Sequence, residues 1–159
     1  MSRTVLLNTF IRNARAAGAE TLFYHKEEDI PLDKWPNLLD FTNPEVAREY
    51  QNPADDPERW DKLPEVLFPG QFGVAENGAI WLDDGDLPHR ILPFITPHLI
   101  LKLKTSDIIA DMQQAYDRLA VETFGFGVFI SGPSKTADIE QSLVYGAHGA
   151  REMTVILFD

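Results

Sequence analysis

Apolar positions recur at helical spacing at the start of the chain and then change to short unbroken runs. Leu6, Phe10, Ala14 and Ala17 fall at i, i+4, i+8 and i+11, with Asn8, Arg12 and Arg15 elsewhere around the circle. This pattern predicts a helix over 3–17, and Gly18 stands where such a helix would stop. Residues 21–25 are aromatic and β-favouring and read as a strand. Apolar runs at 79–82, 99–103, 127–130 and 154–158 read as further strands. After the second of these runs, Thr105 or Ser106 is expected to cap a helix in which Ile108, Met112, Ala115, Tyr116 and Leu119 hold the period. Another helix is expected near 137–145. Apolar strands without polar alternation, separated by helices, imply a mainly parallel sheet covered on both faces. The expected fold class is therefore α/β, a three-layer α/β/α sandwich in one domain. Strand 154–158 is expected beside strand 127–130, joined to it by a right-handed crossover.

The stretch from 30 to 65 has a different texture, with Pro31, Pro36, Pro44, Pro53, Pro57 and Pro64. Asn43-Pro44 and Asp56-Pro57 pair a capping residue with proline at the first helical position, which predicts short helices at 44–51 and 57–62. Asp55, Asp56, Glu58, Asp61 and Glu65 make the stretch acidic. It is either a solvated connector or a lid over a site at the strand ends. Trp35, Tyr50 and Trp60 are either anchors for a partner or packed onto their own domain.

Charge and composition narrow the chemistry. Of 159 residues, 25 are acidic and 14 basic, a net charge of −11. That disfavours general binding to nucleic acid or anionic membranes, which needs clustered Lys and Arg. The chain has no cysteine, so it offers no thiolate for catalysis, zinc or an iron–sulfur cluster. It also lacks a Gly-x-Gly-x-x-Gly fingerprint, leaving no evident redox centre or cofactor of its own. No two histidines have the i, i+4 spacing of a helical metal site, and no structural metal is expected. His98, between Pro97 and an apolar strand, is expected to be hydrogen-bonded at the core's edge. No apolar run approaches the ~20 residues that span a bilayer, and no signal-peptide pattern stands at the start. A cytoplasmic protein is expected.

The most informative stretch joins strand 127–130 to the next expected helix. Ser131, Gly132, Ser134, Lys135 and Thr136 are small, hydroxylated or basic. In parallel α/β sheets ligands usually sit beyond the carboxyl ends of strands, facing helix N-termini. The loop is thus either an anion site or a simple helix cap. It is not a Walker loop, because the Gly-x-x-x-x-Gly-Lys spacing is missing.

The run Ser131-Gly-Pro-Ser-Lys-Thr-Ala-Asp-Ile-Glu140, followed by Gly146-Ala-His-Gly149, resembles the signature of the LUD domain family. That signature reads Ser-Gly-Pro-Ser-x-Thr-Ala-Asp-Ile-Glu and then Gly-x-His-Gly-Pro. Ala75-Glu-Asn-Gly-Ala79 stands where the family carries Ala-Glu-Thr-Gly-Thr, and Arg90, Leu92, Pro93 and Pro97-His98 resemble the next segment. Asn77 and Ala79 replace two threonines, and Ala150 replaces the final proline. The likeness covers roughly 65–159, which makes that part a family-like core and 1–64 a divergent, shortened N-terminal part.

The resemblance implies the fold shared by CoA transferases and ribose-phosphate isomerases. It implies an accessory subunit in bacterial lactate oxidation to pyruvate, working with iron–sulfur partner subunits that carry the electrons. It also implies ligand or anion binding by Ser131, Gly132, Ser134, Lys135, Thr136, Asp138 and His148. Ala75-Glu-Asn-Gly78 is similar to the Ser-Glu-Asn-Gly motif of some CoA transferases, which makes Glu76 a candidate catalytic carboxylate. Asn-Gly is also a common turn pair, so Glu76 is alternatively a structural residue. The other reading of function is a stand-alone enzyme acting on a CoA ester or a phosphorylated sugar at the 131–136 loop. One fold hosts many chemistries and does not choose between the two.

Overall fold

The computed structural model describes residues 2–137, 143–145 and 149–159. Five parallel strands form the central sheet: β1 (Glu20–Tyr24), β2 (Leu39–Asp40), β3 (Val66–Pro69), β6 (His98–Lys104) and β11 (Glu152–Phe158). Their spatial order is β1-β11-β6-β3-β2. A second sheet has the order β7-β4-β5-β8, from β4 (Phe72–Val74), β5 (Ala79–Asp83), β7 (Ile108–Ile109) and β8 (Gly127–Ile130). The helices are α1 (Arg3–Ala17), α2 (Pro44–Glu49), α3 (Pro57–Asp61), α4 (Leu92–Ile95) and α5 (Met112–Leu119). The fold is mixed α/β, with a parallel central sheet flanked by helical segments. Among the described residues no helix is long and apolar enough to cross a membrane.

Strand pleating sorts the side chains of the central sheet. Val66, Phe68, Leu99, Leu101, Leu103, Met153, Val155 and Leu157 share the main core with Phe10 and Ala14 of α1. Their alternates Leu67, Ile100, Ile156 and Phe158 face the other way, against Ile30, Trp35 and Leu38. The second sheet sends Ile80 and Leu82 into the main core, while Phe72, Val74 and Trp81 on its outer face meet Ala115, Met112 and Leu119 of α5. The all-apolar strands of the sequence are thus strands with two buried faces.

The caps follow the sequence. Gly18 ends α1 at φ 103°, the left-handed conformation that favours glycine. Asn43 accepts the Glu45 N–H, and Asp56 accepts the Arg59 N–H, each just before its proline. The 30–65 stretch is part of the core: Tyr50 and Trp60 are buried with Phe41 and Leu63, and Trp35 packs on the opposite face of the sheet. The three aromatics thus pack onto their own domain and are not free anchors.

Three expectations are corrected. Strand β8 does not neighbour β11; it lies in the second sheet, antiparallel to β5, with Ile80 opposite Ile130. Among the described residues no helix stands between β8 and β11. Residues near 137–145 instead contribute β9 (Lys135–Ala137) and β10 (Leu143–Tyr145), paired antiparallel. Thr136, Val144 and Tyr145 favour that extended backbone. The helix expected from Thr105 or Ser106 begins only at Met112. Residues Thr105–Asp107 form one 3-10 turn, and Ile108 and Ile109 pair with Gly73 and Val74 as β7. The cap is Asp111, which accepts the Gln114 N–H at 2.9 Å.

Candidate functional site

The 131–135 loop is held by backbone contacts. Gly132 has φ +73°, and a Cβ there would lie 2.3 Å from the Ala17 carbonyl oxygen, so the loop rests directly on the end of α1. The Ser134 N–H donates to the Ala150 carbonyl at 2.8 Å, which ties the loop to the approach to β11. The Ser131 hydroxyl donates to the Asn77 carbonyl at 2.8 Å. Lys135 runs past Gly18, placing its ammonium at the negative end of α1.

These residues wall a cleft of about 320 Å³. Ser131, Ser134 and Lys135 supply its polar side; Pro93, Phe94 and Leu99 supply an apolar side. Leu99 is the second residue of β6 and Ala150 precedes β11, so the cleft sits at the amino edge of the parallel sheet. A ligand loop after a strand of the parallel sheet is expected at the carboxyl edge. The difference follows from topology: β8 runs in the second sheet, and its end is delivered to the opposite side of the central one. The backbone also differs from expectation, because 135–137 is a strand and presents no helix N-terminus to an anion. Thr136 lies within that strand. Asp138 and His148 fall outside the described residues.

Glu76 is engaged elsewhere. Its carboxylate accepts the Met112 N–H at 2.9 Å, capping the start of α5, and its carbonyl accepts from the Asn13 side chain at 2.9 Å. Gly78, at φ +69°, approaches so closely that a Cβ would lie 2.3 Å from the Ala14 backbone nitrogen. The 75–78 turn therefore clamps α1 to α5, and Glu76 does not line the cleft. Glu76→Ala should lower stability by about 1 kcal/mol in urea denaturation, as loss of a helix cap does, while Glu76→Gln keeps an acceptor and most of the stability.

His98 is hydrogen-bonded on both ring nitrogens, as its position at the core edge implied. Nδ1 is 3.2 Å from a Glu65 carboxylate oxygen, and Nε2 is 2.9 Å from the Thr154 hydroxyl. Thr154 in turn donates to Glu20 at 3.2 Å. Sequence spacing does not reveal this group, since its members come from four strands' amino ends. His89 packs edge-on against Trp60, and His25 against Phe23.

A larger cleft of about 460 Å³ opens at the carboxyl ends of β2 and β3, lined by Phe41, Thr42, Gln51, Asp84 and Asp86 among others. Burial pushes the Asp86 carboxyl up, a donated hydrogen bond from Gln71 at 2.9 Å draws it down, and nearby Asp83 adds to the rise. Pro44 and Ala47 of α2 also wall this cleft, so the 30–65 stretch does border a space at the strand ends. With two carboxylates and neither lysine nor arginine in its lining, it repels an anion. The amino-edge cleft has no carboxylate in its lining and has Lys135 in its wall, which makes it the better anion host of the two.

The LUD domain model matches residues 67–158, more than half of the chain. This chain belongs to the LUD domain family. The match spans β6, β8, the 131–135 loop and Ala150, and so takes in all the walls of the amino-edge cleft. An uncharacterized protein of Neisseria meningitidis is 35% identical over 89 residues, covering 54% of this chain and 38% of that protein. The protein named Lactate utilization protein C of Bacillus pumilus is 34% identical over 100 residues, covering 59% of this chain and 41% of its own length. The Lactate utilization protein C of Geobacillus kaustophilus matches more of this chain, 79%, at 25% identity, with 53% of its own length covered. The chain thus spans between about two fifths and one half of these relatives. A crystal structure of a DUF162 family protein from Deinococcus radiodurans superposes over 100% of this chain and 99% of that one, with TM-score 0.71 and 18% identity. That likeness concerns the fold. It extends the shared architecture to α1 and the 30–65 stretch, which the LUD model does not reach.

Proposed function

We propose that this LUD protein serves lactate utilisation as an accessory subunit that binds a small organic anion in the amino-edge cleft. One observation carries the reading: the family match runs through each segment that walls this cleft, in a chain whose relatives include proteins named for lactate utilisation. The cleft's chemistry is suited to a short carboxylate. Lys135 offers a cation, the Ser134 hydroxyl offers a hydrogen bond, and the Pro93–Phe94 side accepts a small apolar group. Oxidising lactate to pyruvate releases two electrons. This chain has no cysteine for a thiolate-ligated cluster, and the resemblance to the LUD family implies iron–sulfur partner subunits; in this reading they carry the electrons while this protein assists.

The test is deletion of the gene in its native host, followed by growth on lactate as sole carbon source. Growth should fail and return with the wild-type gene. It should return poorly with Lys135→Gln at equal protein level, and well with Glu76→Gln. Normal growth of the deletion strain, with no second copy present, would reject the lactate role.

A further inference from the structure

Pairing register places Glu65, His98, Thr154 and Glu20 on one face, at the amino ends of four adjacent parallel strands. Val66 pairs with Leu99, which sets Glu65 beside His98. His98 pairs with Glu152, and Glu20 with Thr154. The Thr154 hydroxyl stands between His98 Nε2, at 2.9 Å, and the Glu20 carboxylate, at 3.2 Å. On the other side of the ring, Nδ1 is 3.2 Å from the Glu65 carboxylate.

Counting protons fixes the direction of each bond. A carboxylate only accepts, so the single proton of the Thr154 hydroxyl goes to Glu20, and a proton on Nδ1 goes to Glu65. Thr154 Oγ1 is then an acceptor toward the ring, and Nε2 must carry a proton too. The bonds seen are those of an imidazolium. When one proton leaves for solvent, Glu65 keeps the proton on Nδ1 and Nε2 becomes an acceptor. Thr154 is 1% exposed, so its hydroxyl has no water to turn to and gives its proton to Nε2. The bond to Glu20 is lost, and the exposed Glu20 is left to solvent.

A cleft of about 240 Å³ opens at this group, lined by His98, Glu20, Arg151 and Glu152 among others. Pro133 lines both this cleft and the 131–135 cleft, and Leu99, next to His98, lines the latter. Around the ring stand the carboxylates Glu65, Glu20 and Glu152 and the cation Arg151, with Lys135 at Gly18 on the rim. Arg15 of α1 is held on Thr21 instead. Three carboxylates against two cations leave the rim net negative beside a neutral ring and balanced beside a protonated one. An anion next door is repelled in the first state and released from that repulsion in the second. We propose that His98 is a proton-operated switch, relayed to β1 through the Thr154 hydroxyl, that strengthens anion binding in the 131–135 cleft when it is protonated. The link to affinity rests on the anion reading of that cleft; the hydroxyl switch does not.

The ring nitrogens of the isotopically labelled full chain, with His98 assigned through its own backbone, are followed by NMR from about pH 5.5 to about pH 8, where imidazoles change charge. Both nitrogens of His98 should be protonated at the acid end, and the one proton left at the alkaline end should sit on Nδ1. A proton count that does not change, or a lone proton on Nε2, would overturn the switch. This reading is made on the wild type and needs no variant to fold. The same chain is titrated with L-lactate, whose carboxylate stays ionised over this range. Binding should be about 3- to 10-fold tighter at the acid end. His98→Gln should lose most of that dependence, while His25→Gln and His89→Gln should keep it. Equal affinity at both ends would overturn the link to the cleft. No binding at either end would reject the anion reading and the link with it, while the ring nitrogens would still decide the hydroxyl switch.

Discussion

Phe68→Ala should cost about 3–5 kcal/mol, a large fraction of the whole stability of a domain this size. Phe68 is fully buried in β3, between β2 and β6, and stacks on Phe41 with ring centroids 4.8 Å apart and planes 8° from parallel. Its removal deletes a large apolar surface and leaves a cavity between the central sheet and the Phe41–Tyr50–Trp60 cluster, where Phe41 and Tyr50 also meet edge to face. A fixed parallel sheet cannot close that space. The urea midpoint should fall with little change in slope. A loss below about 1 kcal/mol would mean that the 30–65 stretch does not pack on β3 as described.

Gly132→Ala should cost about 3 kcal/mol and disturb the amino-edge cleft at the same time. The left-handed backbone at φ +73° alone penalises alanine by about 1–2 kcal/mol. The new methyl would also lie 2.3 Å from the Ala17 carbonyl oxygen and 2.8 Å from its carbon, both backbone atoms at the end of α1. Either the loop or the helix end must move. Gly125→Ala is the matched control: its Cβ would meet chiefly the Asp84 carboxylate at 2.7 Å, a side-chain end that can shift at the cost of loosening its hydrogen bonds from the Gly125 and Phe126 N–H groups. It should cost far less. Equal destabilisation by the two variants would contradict the described contact between the loop and α1.

The sequence revealed elements wherever a local rule was sufficient. Helical spacing and Gly18 delimited α1, and Asn43-Pro44 and Asp56-Pro57 marked the starts of α2 and α3. Mostly apolar runs marked β5, β6, β8 and β11. The failures are non-local. Val66, Leu67 and Phe68 form a central strand, but only four residues, Glu65 to Phe68, lie between Pro64 and Pro69, too few to show a period. Ile108 and Ile109 fit a helical period as well as a strand, and pairing with β4 decided the matter. Whether β8 joins the central sheet depends on which neighbour it pairs with, and composition does not encode that.

The candidate site was legible in part for the same reason. Its loop carries glycine, serine and lysine in a distinctive order, so residues 131–135 could be singled out directly. Its position at the amino edge depends on sheet topology. Glu76 was conspicuous because of its turn, yet its carboxylate caps α5. Thr154, Glu65 and Glu20 carry no local mark; only strand register brings them to His98.

The central claim is that the 131–135 cleft binds a small organic anion. Titrating the isotopically labelled chain with L-lactate, and following backbone amide signals by NMR, tests it most directly. Saturable shifts should be largest at Leu99, Ser131, Ser134, Lys135 and Ala150, and should weaken in Lys135→Gln. The absence of saturable shifts, or shifts centred on Thr42, Asp84 and Asp86 at the opposite edge of the sheet, would contradict it.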